Sequence, residues 1–153
     1  MKLPESQISI EVSLESQSLQ VTDGEITLFQ APVSTAANGP GFEENSYKTP
    51  TGQFLVRERI GEGAPIRTTF RGRRPGAIWQ GEDCEDGILT RILWLHGLDP
   101  ENANTYSRYI YFHGTNAESA IGTPASHGCI RLRNRDMLQL FDLAPIGTRV
   151  HIS

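Results

Sequence analysis

Residues 8–14 alternate without a break: Ile8, Ile10, Val12 and Leu14 are apolar, and Ser9, Glu11 and Ser13 between them are polar. Successive side chains of a strand point to opposite faces, so this period of two predicts a half-buried strand. A second run reaches Leu19 and Val21. Asp23-Gly24 then supplies a tight hairpin turn before Ile26 to Phe29. Proline and glycine crowd residues 32–52 and end in Thr49-Pro50-Thr51-Gly52, which reads as a long loop and a turn. Phe54 to Ile60, Ile88 to Leu95 and Arg108 to His113 are further expected strands.

One helix is expected late in the chain. Asn134 is placed to cap it, Asp136 suits its first turn, and Met137, Leu138 and Phe141 are expected on one face. Pro145 and Gly147 end it, and Val150 and Ile152 suggest a closing strand. The fifteen glycines and nine prolines suit many turns between short strands. The expected fold is mainly β with little helix, in a single domain over residues 1–153. Periodicity alone leaves sandwich and barrel both open.

Composition narrows the function classes. Hydrophobic residues make up 37% and charged residues 21%, a globular balance. The formal charge is -4, and the densest basic cluster, Arg71, Arg73 and Arg74, is set among glycine and proline as a solvated loop. A nucleic-acid partner needs a wider positive field, so none is expected. No stretch approaches the ~20 apolar residues that span a bilayer, so no membrane partner is expected either. Pro4, Glu5, Ser6 and Gln7 interrupt the start where a secretory leader has its apolar centre. If Met1 is the native start the expected location is the cytoplasm; if a leader was removed, it is the periplasm or cell envelope. Cys84 and Cys129 are too few for a disulfide framework and fit free thiols.

Chemistry concentrates in Ser126-His127-Gly128-Cys129-Ile130-Arg131-Leu132. A thiol with a free pKa near ~8.5 is a poor nucleophile until a histidine takes its proton. Gly128 lets the backbone turn sharply beside Cys129, so that amide N–H groups can face an oxyanion. Arg131 is suited to hold a substrate carboxylate through paired hydrogen bonds. His113 ends the Arg108–Phe112 run and precedes Gly114, a favourable place for a catalytic base. In an extended strand Tyr109, Tyr111 and His113 point to one side. Other readings stand beside this one. A lone cysteine is ordinarily a small buried hydrophobe, and Cys84 is expected to be that or a loop thiol. His96 and His151 are expected to be structural. A metal held by His113, His127 and Cys129 lacks C-x-x-C or H-E-x-x-H spacing, so no metal is assigned. No glycine-rich phosphate loop follows a strand, which argues against nucleotide chemistry.

These residues resemble the L,D-transpeptidase catalytic domain, the YkuD-like family. His113-Gly114-Thr115 and the S-H-G-C-I-R run at 126–131 match its motif, with residues 114–128 between the histidine and the cysteine. Val33-Ser34-Thr35, Thr49-Pro50-Thr51-Gly52-Gln53-Phe54 and Gly147-Thr148-Arg149-Val150 are similar to further family segments, so the resemblance covers nearly the whole chain. It implies a YkuD-like mixed β-sandwich or barrel with one or a few short helices. It also implies acyl transfer on peptidoglycan stem peptides or free muropeptides, without a cofactor. Cys129 would attack the L-centre carbonyl of diaminopimelate in a tetrapeptide and expel D-alanine. His113 would be the base, oriented by the Gly114 carbonyl. The backbone of His127, Gly128 and Cys129 would form the oxyanion hole, and Ser126 and Arg131 would serve substrate binding. Carbapenems are the inhibitors such a site implies. The segment from Thr68 to Asp99, with Trp79, Cys84 and Trp94, has no mapped role; packing is the expected account of Trp94 and His96.

The fate of the thioester separates two activities that share these residues. Attack by water makes an L,D-carboxypeptidase of murein recycling, the expectation if the chain natively lacks a leader. Attack by a second stem's amine makes a wall-building transpeptidase forming 3-3 cross-links. A non-catalytic peptidoglycan-binding module is the alternative of another class.

Overall fold

In the computed structural model, residues 7–153 are described. The interrupted start, read above as lacking a leader's apolar centre, lies almost wholly outside them. Ten strands, one α-helix and a 3-10 turn at Glu118–Ala120 form among the described residues: β1 (Ile8–Ser13), β2 (Ser18–Asp23), β3 (Ile26–Pro32), β4 (Gly52–Ile60), β5 (Thr68–Arg71), β6 (Arg74–Ile78), β7 (Leu89–Gly97), β8 (Tyr111–Gly114), β9 (Ile130–Leu132), α1 (Asn134–Leu143) and β10 (Arg149–Ile152). The strands form one mixed sheet in the order β3-β2-β1-β10-β4-β7-β5-β6, with β8 on β7 and β9 on β8. Two of its pairings are parallel, β1 with β10 and β8 with β9.

Alternation along β1 puts Ile10 and Val12 into the core, where Leu19, Val21, Phe54, Val56, Val150 and Ile152 meet them. Asp23-Gly24 turns β2 into β3 with Gly24 at φ +61°, the left-handed region a tight hairpin requires. The helix lays Met137, Leu140 and Phe141 on this core, and its C-cap residue Ala144 continues the stripe, spaced i, i+3, i+4, i+7. Each such large side chain contributes about 1.5–3 kcal/mol by leaving water. Arg59 closes the helix end, donating to the carbonyls of Phe141 (2.6 Å) and Ala144 while its guanidinium lies over the Phe141 ring.

Four expectations are corrected. The strand expected from Arg108 begins only at Tyr111, because Tyr109 has φ +59° and breaks the extended run. Leu140, not Leu138, completes the buried helix stripe. Asn134 is the first helical residue rather than the cap; Arg133 holds the cap position without a side-chain bond. Arg71, Arg73 and Arg74 belong to a β5–β6 hairpin, with Gly72 and Arg73 as its left-handed turn residues.

Candidate active site

The β8–β9 register creates the site. His113 pairs with Arg131 and Phe112 with Ile130 in parallel, so Tyr111 and Cys129 lie side by side one step earlier. Paired residues share a face of the sheet. Phe112, Ile130 and Leu132 therefore enter the main core. Tyr111, His113, Cys129 and Arg131 face the other way, where Cys129 packs on a second cluster of Phe70, Ile92, Trp94 and Tyr111.

His113 is buried, 1% exposed. Its Nδ1 lies 2.6 Å from the Gly114 carbonyl oxygen. A carbonyl only accepts, so Nδ1 carries the hydrogen and Nε2 is the basic nitrogen. Burial pushes this imidazole below its ordinary pKa, against smaller opposing effects of the Gly114 bond and Asp86. The ring is neutral at pH 7. Gly114 admits no side chain: a Cβ there would stand 2.3 Å from Asn134 Oδ1 and 2.8 Å from the Leu89 carbonyl.

Cys129 is half-buried and free, and the exposed Cys84 is likewise free. The Cys129 thiol donates to the Tyr109 carbonyl at 3.3 Å and receives the Tyr111 N–H at 3.4 Å. Exclusion of water around the sulfur pushes its pKa up to about 12; the Tyr111 N–H, Arg131 and Arg108 act the other way. Both directions agree on a neutral thiol beside a neutral imidazole. That suits general-base activation on substrate binding rather than a standing thiolate–imidazolium pair.

The turn carrying Cys129 is held from three sides. Gly128 has φ +125°, and a Cβ on it would come within 3.2 Å of the Lys48 carbonyl. Thr49 Oγ1 donates to the Gly128 carbonyl at 2.9 Å and accepts the Ala36 N–H at 3.0 Å. Ser126 Oγ donates to the Cys129 carbonyl at 2.7 Å and accepts the Gly128 N–H at 3.2 Å. The Gly128 amide is therefore already engaged, by a long bond. The Val33–Thr35 segment runs alongside: Ser34 exchanges both backbone bonds with Arg131, and Thr35 accepts the Ala125 and Ser126 amides.

His127 stays at the surface, its side chain 65% exposed and its ring tilted against Tyr47 at 5.2 Å. Arg131 is 5% exposed and pairs with Asp86 at 2.5 Å. Asp86 was not singled out in the sequence, nor was Thr49 as an anchor of the turn. Trp94, 6% exposed, stacks on Tyr106 at 4.0 Å and donates to its carbonyl. Arg73 reaches from the hairpin turn over the Trp94 ring at 4.8 Å. His96 touches Arg57, and His151 pairs with Glu11 at 2.8 Å, both apart from this group. A hollow of 180 Å³ adjoins the site at Tyr109 and His127, and a groove of 690 Å³ beneath the hairpin adjoins it at Asp86. Among the described residues no three His, Cys, Asp or Glu side chains gather to hold a metal, and no helix is long and apolar enough to cross a membrane.

Residues 7–152 match the family described as the L,D-transpeptidase catalytic domain, YkuD. The chain is 58% identical over 156 aligned positions to the probable L,D-transpeptidase ErfK/SrfK of Salmonella typhimurium, covering 98% of this chain and 48% of that protein. It is 31% identical over 105 positions to the putative L,D-transpeptidase YqjB of Bacillus subtilis, covering 69% of this chain and 52% of the relative. The chain thus spans about half the length of these relatives. In fold it is similar to an L,D-transpeptidase from Xylanimonas cellulosilytica, with a TM-score of 0.64, 21% identity, and 99% of this chain and 63% of that one covered. It is also similar to LdtMt1, solved in complex with imipenem, with a TM-score of 0.61, 17% identity, and 97% and 59% covered. The chain belongs to the L,D-transpeptidase catalytic-domain (YkuD) family.

Proposed function

We infer that this protein transfers an acyl group from peptidoglycan tetrapeptide stems through a thioester on Cys129. The observation that supports this most is the tautomer of His113: its Nδ1–H is fixed on Gly114, leaving a basic Nε2 on the face shared with Cys129. His113 takes the thiol proton as sulfur attacks the carbonyl of the diaminopimelate L-centre. The oxyanion is met by backbone amides of the 127–129 turn, the Gly128 N–H turning from Ser126 to substrate. The C–N bond then breaks, His113 returns the proton to the departing D-alanine amine, and the thioester remains. The incoming acceptor gives its proton to His113, attacks the thioester and releases the thiolate, which is reprotonated. No cofactor enters this sequence.

The acceptor we assign is the amine of a second stem, which makes the product a 3-3 cross-link. The supporting observation is the 58% identity to a protein named as a probable L,D-transpeptidase. Water as acceptor would instead make the protein an L,D-carboxypeptidase of murein recycling, and the same residues serve it. A location in the cell envelope accords with the cross-linking reading. The imipenem complex of LdtMt1 supports carbapenems as acylating inhibitors of Cys129.

Incubation with a diaminopimelate tetrapeptide, followed by mass spectrometry, tests the reading. Loss of D-alanine with a joined dimer is expected, and Cys129→Ala should abolish both. A free tripeptide alone would make water the acceptor. Unchanged peptide, with no mass added to the protein by peptide or carbapenem, would leave a non-catalytic peptidoglycan-binding module.

A further inference from the structure

Arg131 is buried beside His113, but its guanidinium has few partners. Its Nη1 makes only a long contact of 3.4 Å to the Ala125 carbonyl, and its Nε is buried without a partner. The strong contact is the 2.5 Å ion pair with Asp86, whose side chain is 27% exposed. The same carboxylate comes within 3.5 Å of His127 Nδ1. It hangs from the segment between β6 and β7, the stretch that had no mapped role, and bridges the residues on either side of Cys129. A buried guanidinium left unpaired is strongly destabilising, so this pair fixes where Arg131 can sit.

We propose that Asp86 is a positioning residue of this site: it holds Arg131 beside His113 and cancels that residue's charge at the Cys129 thiol. The proposal rests on Cys129 being the nucleophile. Neutral and cationic groups lie around the sulfur: Tyr111 and His113 on β8, Arg108 and Tyr109 before it, Arg73 on the hairpin turn, and His127 and Arg131 on its own segment. Against them stands Asp86, the carboxylate whose charge is felt at both Cys129 and His113. Removing it leaves Arg131 unopposed and favours thiolate. Arg131 is therefore engaged in the resting enzyme, and a substrate carboxylate that reaches it must compete with Asp86.

The test is alkylation of Cys129 by iodoacetamide at pH 8 in the intact chain, read on the Cys129 peptide by mass spectrometry. A shift of about one pKa unit, the order a neighbouring charge produces, is a tenfold change in thiolate. Asp86→Asn is expected to react about tenfold faster than wild type, and Asp86→Glu, which keeps the charge, at close to the wild-type rate. Equal acceleration in both variants would mean that the loop merely opens, and would overturn the charge role. Unchanged rates in both would overturn it as well. Should D86N not fold, R131Q carries the same test with opposite sign: about tenfold slower supports the proposal, and an unchanged rate overturns it. Because alkylation needs no peptide substrate, these outcomes are read separately from D-alanine release, on which the acyl-transfer reading stands.

Discussion

The ring Nδ1 of His113 sits 2.6 Å from the carbonyl oxygen of its own neighbour, Gly114. That bond fixes the tautomer, and burial holds the ring neutral below its ordinary pKa of 6.5. The unfolded chain takes up a proton near 6.5, whereas the folded chain resists it until lower pH. The stability from the neutral ring is thus complete above 6.5 and is lost as pH falls toward the depressed folded value. His113→Asn keeps an amide donor for Gly114 and removes the titration. The melting temperature of wild type should fall relative to this variant between pH 7 and pH 5, and an offset independent of pH would refute the assignment. H113N should also form no carbapenem adduct.

The two thiols should react in an order opposite to their roles. Cys84 is exposed, while Cys129 is half-buried with its pKa pushed up to about 12. At pH 8 iodoacetamide is expected to label Cys84 first in wild type. Peptide mapping over a time course checks this. Faster labelling of Cys129 would mean a standing thiolate and would contradict a neutral resting pair.

Gly128 is required by its backbone. At φ +125° a side chain is strained, and a Cβ would press within 3.2 Å of the Lys48 carbonyl. Gly128→Ala should cost about 1–3 kcal/mol in urea denaturation, with a larger loss of D-alanine release than of folding. The turn would move against Thr49 and Ser126, which anchor its carbonyls. Retained activity would show that the left-handed turn does not set the thiol's position.

Much of this was legible in the sequence because one-faced strands write their burial directly. Ile10 and Val12 are buried as their alternation requires. The pairing of His113 with the Cys129 segment came from motif and spacing, and the β8–β9 register supplies its physical basis. What the sequence hid was set by tertiary contacts. No local signal marks Tyr109 for a left-handed backbone, a conformation that disfavours bulky residues. Leu138 and Leu140 are equally apolar, and the core, not the residue type, chooses Leu140. Asp86 is one acid among Glu82, Asp83 and Glu85, and only folding brings it to Arg131.

Tertiary contacts also decide the place of Asn134, which sits inside the helix rather than at its cap. An asparagine before an apolar helix favours the cap by local propensity. Here its side chain accepts from Thr90 Oγ1 at 2.6 Å and donates to the Thr115 carbonyl at 2.8 Å and to Glu118 at 3.2 Å. It thereby ties α1 to β7 and to the chain leaving His113. Asn134→Ala strands two buried partners, Thr90 and the Thr115 carbonyl, and should cost about 2–3 kcal/mol, lowering the rate of Cys129 acylation as well. Asn134→Asp keeps the acceptor for Thr90 but sets a second carboxylate against Glu118. Its destabilisation at pH 7 should therefore exceed that of N134A and shrink on acidification, as one carboxyl takes a proton. Urea denaturation of both variants at pH 7 and pH 5 decides this: a cost near zero for N134A would mean that the buried network of Asn134 does not hold α1 to β7.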